Sequence, residues 1–238
     1  MGPGSKLRRT RLVSFSGIDG AGKSTQIEAL RTRLREAGLR VRVITFWDDV
    51  ACFTGMRESA GHTLFKGDKG IGTPEKPINR RDKNVRSRSM TIIRCCLYLA
   101  DAVSLRFTIR RALASGAEFI ICDRYSWDEL VNLTLRYRLT RIYVRMIIRI
   151  VPRPDVSLLL DADPIQARAR KPEYPLDFLY RSRESYLTMS ELVGGITIIA
   201  PGPISDVEEH ILNHISLEDF RKERAPQLIE EAGGGAAA

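Results

Sequence analysis

The run Gly17-Ile18-Asp19-Gly20-Ala21-Gly22-Lys23-Ser24-Thr25 satisfies the pattern GxxxxGK[ST]. A chain that turns on glycine can aim successive backbone N–H groups at a polyphosphate. A helix that starts there adds the positive end of its dipole. Lys23 can then reach the β- and γ-phosphates, and the Ser24 hydroxyl can hold Mg²⁺. The context is the one this chemistry requires. The apolar run Leu12–Ser16 before the motif reads as a strand, and Ile27, Leu30, Leu34 and Ala37 after it mark one face of a helix. These residues predict a nucleoside triphosphate site.

Such a loop has to be held by a sheet. Val41–Phe46, Phe119–Cys122, Val156–Leu160 and Ile196–Ala200 are short apolar runs rich in β-branched residues, which read with Leu12–Ser16 as buried parallel strands. Helical patterns separate them. The first ends at Gly38, and a second runs from about Arg86 to Ser115 and stops at Gly116. A third carries Leu135, Leu139, Tyr143, Met146 and Ile150 on one face, with Arg138, Arg141, Arg145 and Arg149 on another, before Pro152 and Pro154 end it. Shorter helices are expected over Pro164–Arg170, Asp177–Leu192 and Asp206–Ile215. Strands alternating with helices predict an α/β fold with a mostly parallel sheet, as one domain over 11–216. A basic arm (1–10) and a tail (217–238) flank it, and the arm and the end of the tail, from Gly233 to Ala238, are expected to lack order. Residues 66–84 break the pattern with glycines and prolines and read as an irregular basic loop.

Composition narrows the classes of function. With 43% hydrophobic residues in a chain of 238, a full core is available and wholesale disorder is excluded. No apolar run approaches the ~18 residues of a membrane helix, so no membrane partner is expected. Cys52, Cys95, Cys96 and Cys122 form no CxxC pair, and read as reduced thiols of a cytoplasmic protein. The net charge of +9 is segregated: basic groups gather in 6–11, 66–94 and 134–153, while 205–231 is acidic. That excess calls for an anionic partner. The basic stretches lack interleaved aromatics, which weighs against nucleic acid.

GIDGAGKSTQ at 17–26, DRY at 123–125 and PDVSLLLDADP at 154–164 together resemble the thymidylate kinase family, in order along residues 11–210. The resemblance implies the P-loop nucleoside triphosphate hydrolase fold, a five-stranded parallel sheet of order 2-3-1-4-5 flanked by helices. It also implies transfer of the γ-phosphate of ATP, with Mg²⁺, to dTMP or a related nucleoside monophosphate, and a homodimer. Gly17, Asp19, Gly20, Ala21, Gly22, Lys23, Ser24 and Thr25 would then hold ATP, with Asp19 also facing the acceptor sugar. Ser24 and Asp123 would serve the metal, Arg124 the phosphates, and Tyr125 the acceptor. A short lid over 168–176 would supply a catalytic arginine, Arg168 or Arg170. The other reading of that pair is a solvated helix end.

Three departures from the family leave the acceptor open. After the second strand, where the family carries a proline and a phosphate-binding arginine, this chain reads Phe46-Trp47-Asp48-Asp49. The position of the base-reading arginine is Val103, with Arg106 the nearby polar residue, and the lid is abbreviated. Asp48 or Asp49 could act as a general base on a sugar hydroxyl, making the chain a kinase of nucleosides or other small molecules. They could equally line a solvated turn or meet metal-bound water, and Trp47 could stack on a base or simply pack. The arginine stripe could line a cleft, bind a polyanion or face solvent. From a different class, an ATP-binding switch with a polyanion partner would also fit the charge.

Overall fold

The computed structural model describes residues 10–52 and 88–215. The expected arm, apart from Thr10, the irregular loop 66–84 and the tail 217–238 lie outside the described residues. Strand β1 (Arg11–Ser16) leads through the phosphate loop into helix α1 (Lys23–Glu36), then β2 (Val41–Thr45) and a single π-helical turn, Phe46–Val50. Helix α2 (Arg88–Ala114) precedes β3 (Phe119–Asp123), a short helix α3 (Ser126–Leu130) and α4 (Arg138–Ile150). The chain continues as β4 (Val156–Leu160), α5 (Pro164–Arg170), α6 (Leu176–Val193), β5 (Ile196–Ile199) and α7 (Ile204–Ile215).

The sheet has the order β2-β3-β1-β4-β5, and all its pairings are parallel. Strand β1 is buried on both faces, as its continuous apolar reading requires. Its alternation divides the core. Val13 and Phe15 join Phe119, Ile121, Leu158 and Leu160 against α1 and α7, while Leu12 joins Ile120, Cys122 and Leu159 against α2, α4 and α6. This arrangement places the C-terminal ends of β1, β2, β3 and β4 along one edge, where ligands of open α/β sheets bind.

The expected strands and helices appear with bounds shifted by a residue or two, and Gly38 and Gly116 take the left-handed conformation that ends a helix. Helix α4 is different. Its inward face is Val144 and Ile147, with Tyr143, Ile148 and Ile150 partly buried, and Leu139 and Met146 point outward with Ile142. Of the expected face, Tyr143 and Ile150 pack against the core and buried Leu135 precedes the helix, while Leu139 and Met146 do not join it, because apolar residues surround more than one side. The short helix α3 and the π-turn are additions that local pattern did not reveal.

Candidate active site

The phosphate loop is cast by close backbone approach. Gly20 has φ +85°, and a Cβ there would lie 2.2 Å from the carbonyl oxygen of Ala167 in α5. Only glycine lets the loop and the lid helix meet in this way. Gly17 is buried beneath the loop, and Gly22, at φ +88°, opens α1. Ala21 is half-buried, and Ser24 and Thr25 are exposed at the helix N-terminus, where the unpaired N–H groups favour an anion. Lys23 is buried and donates from Nζ to the carbonyls of Gly17 (2.7 Å) and Ile18 (2.9 Å). Burial, and after it the Arg124 charge, lower its pKa to about 8.

At the end of β3, burial raises the pKa of Asp123. Arg124 follows with φ +69°, the one non-glycine residue with positive φ among those described. Its backbone N–H donates to the Phe15 carbonyl of β1 at 3.0 Å, and its guanidinium bonds Asp19 in the phosphate loop. Burial opposes the Arg124 charge, but Asp19, then Tyr186 and Asp128, raise its pKa overall. Lys171 reaches the same Asp19 oxygen at 4.0 Å and Glu173 at 3.3 Å. Two cations from different elements therefore converge on one loop carboxylate.

The segment expected to form the lid is short and packed. Asp163 caps α5 by accepting from the Gln166 N–H at 3.3 Å. Pro172, Glu173 and Tyr174 are buried, with Tyr174 stacked on Phe178 at 4.8 Å. Arg183 of α6 clamps Asp161 through paired 2.6 Å bonds just before α5. Arg170 is exposed, and its Nη1 lies 3.9 Å from where a Gly22 Cβ would sit. Arg168 is half-buried on the same short helix.

The turn after β2 is built otherwise. Phe46 is buried, and Trp47 meets it edge-on at 6.1 Å, at the border of exposure. Asp49 accepts the Thr45 N–H at 2.8 Å and so caps its own turn, while Asp48 is exposed. Arg106, expected at the acceptor, donates from Nη1 to the Ile150 carbonyl at 3.0 Å, at the C-terminal end of α4. Tyr125 is fully buried, its hydroxyl donating to the Pro152 carbonyl at 2.5 Å and its ring 4.4 Å from Trp127, so it packs the core. Val103 points outward on α2.

Sequence reasoning missed Lys171, Tyr186 and above all Asp128. Asp128 lies at the third position of α3, where an acidic side chain turns back to bond the N–H at the helix start, here that of Tyr125. That local signal was present. Its long-range partners, Ser16 and Tyr186, were not legible. Among the described residues no His, Cys, Asp and Glu cluster could cage a metal, and no helix is long and apolar enough to cross a membrane.

Comparison with known proteins fits this geometry. Residues 5–56, spanning the phosphate loop, match the family described as methylmalonyl Co-A mutase-associated GTPase MeaB. Over a far longer stretch the chain is 27% identical to a probable thymidylate kinase of Archaeoglobus fulgidus, covering 84% of this chain and 92% of that one. It is 31% identical to a thymidylate kinase of Bifidobacterium longum, over 75% of this chain and 82% of the relative. The fold matches a solved thymidylate kinase of Candida albicans with a TM-score of 0.59 and 18% identity, covering 89% and 93% of the two chains. The relatives extend across the sheet, the lid and α6, well beyond the loop shared with the GTPase family, and the chain belongs to the thymidylate kinase family of nucleoside monophosphate kinases.

Proposed function

We propose that this kinase transfers the γ-phosphate of ATP to dTMP or a closely related nucleoside monophosphate, giving the diphosphate. The observation that carries this reading is the convergence of Arg124 and Lys171 on Asp19 beside the buried Lys23. A cation-rich edge suits an acceptor that is itself a phosphate. Its attacking oxygen is already ionised near neutral pH, so positioning and charge neutralisation do most of the catalysis. On binding, Lys23 would exchange its two loop carbonyls for phosphate oxygens, and Arg124 would steady the phosphates from the end of β3. Arg170, with Arg168 on the same helix, would neutralise charge on the transferring group.

The oxygen donors present fit Mg²⁺, which keeps several waters and takes few protein ligands. The Ser24 hydroxyl is exposed at the loop, and Asp123 is a carboxylate whose anionic form burial disfavours and a cation would restore. When bound, Mg²⁺ would supply neutralisation of the triphosphate charge.

The alternative acceptor is a hydroxyl, with Asp48 or Asp49 as base; both are exposed, and Oδ2 of Asp49 accepts the Thr45 N–H. ADP release measured with a panel of nucleoside monophosphates, nucleosides and sugars tests the reading. Stimulation by dTMP is expected, and stimulation by nucleosides alone would overturn it. The homodimer belongs to the same proposal. Ile92, Leu99, Val103 and Phe107 form an exposed stripe along α2 that a second copy would cover, and sedimentation of the full chain would show it.

A further inference from the structure

The left-handed backbone of Arg124, at φ +69°, is one that residues with a Cβ rarely adopt, so something must hold it there. Its own N–H is held by the Phe15 carbonyl at 3.0 Å, and a second restraint lies one turn on. Asp128 is buried, and its carboxylate takes a hydrogen bond from three different parts of the molecule. Oδ2 accepts the Tyr125 N–H at 2.8 Å and the Ser16 hydroxyl at 2.5 Å, and Oδ1 accepts the Tyr186 hydroxyl at 2.8 Å. The Tyr125 N–H belongs to the peptide immediately after Arg124, so the bond to it restrains the ψ angle of Arg124 directly. Ser16 is the last residue of β1, next to the phosphate loop, and Tyr186 stands on α6, which follows the lid. Trp127 completes the cluster by donating from Nε1 to Ser16 Oγ at 2.9 Å.

We propose that Asp128 is the positioning residue for Arg124. By tying the peptide after Arg124 to the end of β1 and to α6, it holds the guanidinium against Asp19 before any nucleotide arrives. This inference rests on the reading above, in which Arg124 steadies the phosphates. Asp128 itself touches no substrate. Its effect is therefore on the geometry of transfer, with little effect on ATP capture by the loop.

The test is a double-mutant cycle on the full chain with ATP, Mg²⁺ and dTMP. Asp128→Ala is expected to lower kcat about tenfold or more while the KM for ATP moves less than about twofold, since small misplacements of a charge clamp are costly. Asp128→Asn keeps an oxygen for the Tyr125 N–H and is expected to recover activity to within about threefold of the parent chain. Arg124→Lys should itself be slow. In that background Asp128→Ala should cost less than about threefold further, because the two residues act as one unit. Equal losses in both backgrounds would mean that Asp128 merely supports the fold, and would overturn the inference alone. An undiminished kcat for Arg124→Lys would instead overturn the role given to Arg124, and the inference with it. Where Asp128→Ala fails to melt cooperatively, Tyr186→Phe removes one donor from the same carboxylate. It carries the same cycle, with an expected loss of about threefold that vanishes beside Arg124→Lys.

Discussion

The phosphate loop and the turn after β2 both hang from the C-terminal ends of parallel strands, yet they are held by different means. The loop is held by close approach and charge: Gly20 lies against the Ala167 carbonyl, Lys23 donates to two loop carbonyls, and Asp19 is gripped by Arg124 and Lys171. The β2 turn is held by the Ala51 N–H donating to the Phe46 carbonyl at 2.8 Å, by one capping carboxylate and by an edge-on aromatic pair, with Asp48 and Asp49 both exposed. A region where a Cβ would collide with backbone admits few sequences. One without such a collision can be rebuilt residue by residue. The contrast sets the fixed GxxxxGK[ST] loop against the Phe46-Trp47-Asp48-Asp49 turn, where the sequence departs from the pattern expected of the family.

The sharpest way to break that contrast is Lys23→Ala. It should reduce kcat about 10³-fold or more, the scale of removing a charge clamp from phosphoryl transfer, and retained ADP release would refute the role given to Lys23 on the triphosphate side. Gly20→Ala comes next. Its Cβ would collide with the Ala167 carbonyl in a backbone conformation that alanine avoids, so ATP binding should weaken about 10²-fold by equilibrium titration.

A pH effect follows from Lys23. Its pKa of about 8 in the ligand-free chain means that triphosphate binding must restore a proton above that pH. ATP affinity should therefore fall about tenfold between pH 7 and pH 9, with proton uptake visible as buffer-dependent calorimetric heat. The same depressed value disfavours the folded state while the unfolded chain keeps its proton. Lys23's share of stability thus rises with pH between about 8 and its ordinary 10.5. A flat affinity profile would mean that Lys23 is charged in the empty site.

On the β2 turn the effects should be small. Asp49→Ala should cost about 1 kcal/mol in thermal stability through the lost bond to the Thr45 N–H and change kcat little. Asp48→Asn should change kcat by less than about twofold. A loss of about 10²-fold there would mark Asp48 as a general base and move the acceptor to a hydroxyl.

The same contrast explains what could be read in advance. Strands, phosphate loop and helix ends were legible because their signals are local: alternating or continuous apolar runs, a fixed motif, and Gly38 and Gly116 where a left-handed residue was needed. The face of α4 was legible only in part. Leu139, Ile142 and Met146 are apolar yet exposed, and periodicity cannot distinguish a core stripe from a second apolar stripe beside it. Arg106 and Tyr125 were assigned to the acceptor by position in the chain, and their partners Ile150 and Pro152 belong to the end of another helix. Asp128 shows the same limit, since its partners Ser16 and Tyr186 lie 112 and 58 residues away.

The central place of β1 also has a consequence in time. Its flanking partners are β3, where Leu12 faces Ile120, and β4, where Val13 faces Val156. During synthesis, at about 5–20 residues per second, the first strand therefore waits on the order of 10 s for its second neighbour. Through that interval the strand has α1 and, once residue 123 is made, β3 beside it, while its other edge stays open. The close approach of Gly20 to the Ala167 carbonyl likewise forms only after β4 and residue 167 have been made.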